Sequence, residues 1–284
     1  MKYFFWNAIV GLFVGIVTLS AQVSDRWLDF RNQADDYYMV LEKTDMTNFS
    51  CYFTSSAYLN YVAQMGDSSY NYPLKFIWTR EGNTYYILQP YPGMDDARKR
   101  QQSLQQIQIV KTEFQGFFLD FINFVVYSPF SDIPEDAEIE FSQDSVRVHY
   151  RSGEGNLVAD VWKVFLPSGK LRKVRYESGD KRIINYPAYT EVEGKWLCVG
   201  WDSQIYQNGK ITSGSATRTE FRKIDRYWVP VRVMTMVQVA DRPEERYMSE
   251  LFIKDYLFNI PLEKIPDART GNSTNPAENQ LPKK

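Results

Sequence analysis

The stretch YTEVEGKWLCV at 189–199 is echoed 32 residues later by FRKIDRYWVPV at 221–231. Each runs aromatic, aliphatic, acidic residue, Trp, then alternating aliphatics. Successive side chains on a strand point to opposite faces, so the alternation reads as paired strands, with Glu193-Gly194 and Asp225-Arg226 at the reversals. Trp196 and Trp228 open the returning strands, where an amphipathic ring suits the rim of a sheet. Two hairpins in series extend an antiparallel meander. A solenoid or propeller would need more copies of the unit.

Outward from these hairpins the same punctuation continues. Between Glu138 and Asn259, turn chemistry recurs at Ser152-Gly153-Glu154-Gly155, Pro167-Ser168-Gly169, Ser178-Gly179-Asp180, Asn208-Gly209 and Asp241-Arg242-Pro243, which predicts consecutive antiparallel strands. Lys75 to Trp78 and Tyr85 to Gln89 flank Glu81-Gly82-Asn83 and read as one more hairpin. Asn48 to Val62 alternates Phe49, Cys51, Phe53, Ala57, Leu59 and Tyr61 on one parity, so a long strand or a bent pair of strands is expected there. Asp25 to Lys43 places Trp27, Leu28, Phe30, Ala34, Tyr37, Tyr38 and Leu41 near helical spacing, predicting an amphipathic first helix.

The segment from Asp95 to about Tyr127 is the long helical stretch in the middle of the chain. Its first half is polar, with Arg98-Lys99-Arg100 facing water; its second, Phe114 to Val126, is Phe-rich on nearly every side and must be covered. Pro129 and Pro134 end it, since proline cannot continue the helical ladder.

Composition limits the chemistry. The 284 residues carry 33 Lys+Arg against 35 Asp+Glu, so no basic field exists to track phosphates and nucleic acid is excluded as a partner. One His and two Cys cannot build a structural zinc site alone. No G-x-S-x-G elbow, H-E-x-x-H, Walker loop or C-x-x-C occurs, so neither catalysis nor a cofactor nor a metal is expected. His149, on the parity opposite Val146 and Val148, reads as an exposed strand residue. The paired carboxylates Asp35-Asp36, Asp95-Asp96 and Glu244-Glu245 read as solvated faces and caps, since adjacent residues diverge.

Lys2, an apolar run from Tyr3 to Leu19, then Ser20 and Ala21 are in signal-peptide order, predicting export with cleavage after Ala21; an uncleaved membrane anchor is the competing reading. Export permits a disulfide, but Cys51 and Cys198 fall on disagreeing faces of their strands, which favours two free thiols. Residues 22–263 are expected to form one domain and 264–284 a disordered tail.

The helix-then-strand start around Tyr37 to Phe53, the strands Val174-Arg-Tyr176 and Ile183-Ile184-Asn-Tyr186, Tyr227-Trp228-Val229-Pro230-Val231, and the ending Ile253-Lys-Asp255-Tyr256 to Asn259-Ile260-Pro261-Leu262 together resemble the exported lipoprotein-carrier superfamily, the LolA/LolB-like lipoprotein-sorting proteins. The resemblance covers most of the mature chain and lies in patterns of fold rather than in reactive groups. It implies an α+β, mainly antiparallel β fold: a strongly curved meander, an incomplete barrel, with an N-terminal helix and a long middle helix (about 95–127) covering the concave face. It also implies a periplasmic, non-enzymatic protein binding a lipid or an acylated lipoprotein, with envelope membrane contact as a further expectation.

Within that frame Phe49, Phe53, Phe76, Trp78, Trp201 and Phe221 are the candidate sheet lining of an apolar cavity, and Phe114, Phe117, Phe118 and Phe121 the candidate helical lining, with Met234 and Met236 as soft lining at one end. Taken singly, each such ring reads first as ordinary core, and the cavity reading rests on the group. The alternative function is a carbohydrate or cell-wall binding module stacking sugars on Trp196, Trp201 and Trp228; a hydrolase using unpaired carboxylates ranks last. Oligomeric state stays open.

Overall fold

The computed structural model describes residues 25–65, 70–89, 97–153 and 158–261; the expected signal segment at 1–21, the tail at 264–284 and Asp95-Asp96 lie outside them. Helix α1 (25–35) leads through a 3-10 turn at Leu41–Lys43 into β1 (Asn48–Ser55), α2 (Ser56–Met65) and the hairpin β2 (Leu74–Thr79) and β3 (Thr84–Leu88). The long helix α3 (Ala97–Phe121) runs into a π-helical turn at Ile122–Val126. Nine strands follow: β4 (Glu138–Phe141), β5 (Val146–Ser152), β6 (Ala159–Phe165), β7 (Leu171–Ser178), β8 (Lys181–Val192), β9 (Lys195–Gln207), β10 (Lys210–Ile224), β11 (Tyr227–Val239) and β12 (Arg242–Phe258).

All twelve strands form one sheet in the order β3-β2-β1-β12-β11-β10-β9-β8-β7-β6-β5-β4, with every pairing antiparallel. The sheet is open, with β3 and β4 at its edges. Only β1 against β12 joins strands distant in sequence, and Asn48 secures that junction. Its buried amide accepts from the Ile260 N–H (2.7 Å) and donates to the Ile260 carbonyl (3.0 Å). The two hairpins that announced the meander are β8–β9 and β10–β11. Glu193 (φ 53°) and Gly194 (φ 73°) both take the left-handed conformation that a two-residue hairpin turn with the strands' own twist requires.

Two sequence expectations are corrected. The segment 48–62 is not continuous strand: it turns helical at Ser56. The Ser55 hydroxyl accepts the Tyr58 N–H (3.3 Å) as a helix cap, and Tyr58 and Val62, four apart, are buried together, so helical spacing prevails over the alternation at Ala57, Leu59 and Tyr61. The first helix stops at 35 instead of reaching Lys43. Beyond it the backbone of Tyr37 and Met39 bonds to both sides of Trp196 (2.6 and 3.0 Å), and the Tyr38 hydroxyl donates to the Gly169 carbonyl (2.8 Å) while accepting the Leu171 N–H (2.6 Å). Tertiary hydrogen bonds thus take the groups that a longer helix would have used. Among the described residues no helix is long and apolar enough to cross a membrane.

Gly169, at φ +87°, lies so close to α1 that an added Cβ would sit 2.0 Å from the Ala34 Cβ. Gly179, at φ +59°, has open space around it. Gly169→Ala is therefore expected to destabilise the protein by about 3 kcal/mol or more, and Gly179→Ala by about 1 kcal/mol, in urea unfolding followed by tryptophan fluorescence.

Candidate functional site

Along α3, Ile107, Val110, Phe114, Phe117, Phe118 and Phe121 are buried at intervals of three and four, the stripe that one covered helix face requires. The stripe meets the sheet through rings. Phe114 stacks on Phe53 of β1 at 4.0 Å and lies 5.0 Å from Phe76 of β2; Phe118 lies 4.5 Å from Phe76. Phe49 joins the cluster against Phe76 (5.9 Å) and Trp78 (5.5 Å). At the other side of the helix Phe117 stacks on Trp201 of β9 (6.1 Å), and Phe124 lies 5.3 Å from the same indole. Nine of the ten candidate lining residues are thus buried in one continuous cluster, filled by each other's rings. Phe221 is half-buried opposite Pro230 at a register break, and among the described residues no ring contact joins it to the others.

Met234 and Met236 are corrected outright. The row Trp201–Thr217–Thr235 fixes one face, so the methionines flanking Thr235 project from the other and are 41% and 42% exposed. Cys51 and Cys198 are free and buried, but the reason is a correction. The bulge at Val199 turns Cys198 to the face of Trp201, the side that Cys51 shares with Phe53, and the thiols stay apart because β1 and β9 are four strands apart. Burial pushes both thiols up, Cys198 to about 12. His149 lies on the outer face between Glu138 (3.0 Å) and Asp160 (3.1 Å), whose hydrogen bonds hold its imidazole above the usual range. Its ring stacks on Trp162 (4.7 Å), and the Arg175 guanidinium covers the same indole at 3.7 Å from the neighbouring strand. That sandwich leaves Trp162 no open face for a sugar. Trp201 is buried, and Trp196 is stacked on Tyr37 (5.3 Å) with the Lys170 ammonium 4.8 Å from its ring.

A hollow of about 400 Å³ opens beside the ring cluster, within the size range of small-molecule sites. The π-helical turn builds one wall with Asn123 and Phe124. Its wider i to i+5 bond, Tyr127 N–H to Ile122 carbonyl at 3.1 Å, closes the helix and hands the chain to Tyr127, Ser128 and Pro129. Leu171, Val174 and Tyr176 of β7 and Lys163 of β6 form the wall opposite, and Glu42 of the 3-10 turn with Ser131 and Asp132 forms the polar end. Lys163 is the one charged side chain in this region that is almost fully enclosed. Its ammonium donates to the Pro129 carbonyl (2.8 Å) and to Asp132, and burial holds its pKa below the usual lysine range against the opposing pull of Asp132. Asp132 in turn accepts the Tyr150 hydroxyl (2.6 Å). Glu42 accepts the Ser128 N–H and the Ser131 hydroxyl (2.6 Å).

Sequence reasoning missed this polar end. A signal existed: Lys163 shares the parity of Val161 and Phe165, the buried positions of β6, so a charge was written into a core register. Among the described residues no three His, Cys, Asp or Glu side chains gather as a metal site. No protein-family model, curated protein or solved structure matches the chain.

Asp120 sits at the end of the stripe, half-buried, with its carboxylate accepting the Trp201 indole N–H at 2.9 Å. Burial outweighs that hydrogen bond and pushes its pKa up to about 6. A carboxyl whose pKa is higher folded than unfolded holds its proton more tightly in the native state, so stability falls as pH rises from about 4 to about 6 and stays low above. Asp120→Asn keeps the acceptor and removes the charge. Chemical denaturation at several pH values is expected to show the variant up to about 2 kcal/mol more stable at pH 8, with that fall absent.

Proposed function

We propose that this protein is an exported, non-enzymatic envelope protein that shelters a lipid or the acyl chains of a lipidated partner in the hollow between its sheet and α3, as the resemblance to lipoprotein carriers suggests. The observation that carries the reading is the 400 Å³ cavity, apolar on the walls and polar at one end, bounded by β6 and β7 on one side and the π-helical end of α3 on the other.

In this reading the sheet curls around the helix. Adjacent helical residues point about 100° apart, yet Phe117 meets β9 and Phe118 meets β2, strands separated by five steps or about 24 Å along the sheet. Bending of the sheet towards α3 from two sides would let one surface receive both rings, and the two contacts support α3 as the cover of a concave face. The ring cluster then backs the hollow, and lifting α3 would extend the apolar surface over Phe53, Phe76, Phe114 and Phe118. Each acyl methylene removed from water contributes about 0.8 kcal/mol, so about ten methylenes supply about 8 kcal/mol against the cost of association. Of the three Trp residues expected to stack sugars, Trp201 is enclosed, Trp196 is stacked on Tyr37 and Trp228 is half-buried against the core, which favours this reading over sugar stacking.

Mass spectrometry of organic extracts from gently purified mature protein is expected to detect bound acyl lipid, and the stripped protein is expected to take up a fluorescent acyl probe. Asn123 is exposed at the cavity wall, so Asn123→Trp should fill the entrance and reduce probe uptake at least about tenfold with the circular dichroism unchanged. An empty protein that ignores the probe would remove the proposal.

A further inference from the structure

The polar end of the cavity has a hydrogen-bond balance of its own, and its bearing on ligand choice rests on the lipid-binding reading. An ammonium carries three N–H donors. Lys163 spends one on the Pro129 carbonyl and one on Asp132, and among the described residues no oxygen acceptor meets the third, while the Tyr150 ring lies 5.8 Å from the ammonium. The side chain is 5% exposed and lines the cavity, so that donor has little access to bulk water. The nearby carboxylates are better supplied. Asp132 receives Lys163 and the Tyr150 hydroxyl, and Glu42 receives the Ser128 N–H and the Ser131 hydroxyl. The site is therefore short of an acceptor.

Charge decides which kind of acceptor. The polar end presents one cation against two carboxylates, and Lys163 is already engaged by Asp132. A third anion would have to shed its water beside Asp132 and Glu42 with only a shared counter-charge, a losing exchange in a partly dry site. A neutral carbonyl oxygen makes no such demand. Tyr150 and Tyr176 do not alter the balance, because burial raises both phenols above their ordinary range and keeps them uncharged.

We propose that Lys163 is the specificity-determining residue of this cavity: it donates to the carbonyl oxygen of a neutral acyl ester or amide, while Phe124, Leu171 and Val174 take the hydrocarbon, and free fatty-acid carboxylates are rejected. The ligand class is a neutral acyl ester or amide, the linkage by which acyl chains are carried on glycerol or on an amino group.

Competition against a fluorescent acyl probe at pH 8 with methyl laurate, laurate and dodecane tests this. Methyl laurate is expected to bind about tenfold tighter than either of the others, the size of one hydrogen bond from a charged donor. Lys163→Met, similar in length and lacking donors, is expected to bring methyl laurate down to dodecane with dodecane unchanged. Carbonyl-labelled methyl laurate should show its C=O stretch at lower wavenumber on the parent protein than in hydrocarbon solvent, a readout that needs no variant. Laurate binding as tightly as its ester, an unshifted stretch, or an ester preference surviving in Lys163→Met would overturn the assignment and leave lipid binding intact. If none of the three ligands displaces the probe, the lipid-binding reading falls and this inference with it.

Discussion

Phe114 lies flat on Phe53 with 4.0 Å between ring centres, and most of the architecture follows from the need to cover that contact. A helix carrying Phe114, Phe117, Phe118, Phe121 and Phe124 gathers these rings into one stripe about a third of its circumference wide, and that stripe has to be covered along both of its flanks. Strands β1 and β2 take one side and β9 the other. The closing pair β1–β12 makes this arrangement available, because it joins the N-terminal strands to the end of the meander and sets Phe53 and Trp201 in the same sheet. Asn48 and the residues after β12 then hold that pair in register.

The polar groups at the margin of this core explain why the region beside it is a hollow. Lys163, Asp132 and Tyr150 form a connected set that must keep its hydrogen bonds, so apolar side chains cannot close over it without stranding a charge. The π-helical turn hands the chain to Tyr127, Ser128 and Pro129, and the Pro129 carbonyl accepts from the ammonium. Asp120 is a different case. It has the Trp201 indole as a partner but no cation among the described residues, and its elevated pKa records the energetic cost of placing a carboxyl there.

How much of this was legible depended on how local the deciding interaction was. The hairpins at 193–194 and 208–209 and the long middle helix were readable because turn chemistry and period act within a few residues. The run after Ser55 misled because Ala57, Leu59 and Tyr61 satisfy strand alternation while Tyr58 and Val62 satisfy helical spacing, and only the cap and the neighbouring core choose between them. Met234 and Met236 misled because parity says which residues share a face but not which face is covered; that is fixed by Trp201 two strands away. The aromatic residues expected to line a cavity, Phe221 apart, pack into one buried cluster, and the hollow itself borders Phe124, Leu171, Val174 and Tyr176 instead.

The amino-acid order alone determined the elements that depend on near neighbours: an antiparallel meander, its turns, and one long helix with an apolar half. Tertiary structure decided which rings fill one another, where space is left, and which charge stands at its edge. Those outcomes depend on β1 meeting β12 and on α3 meeting strands more than eighty residues later, as in Asp120 with Trp201, and separations of that length leave no periodic trace in the chain.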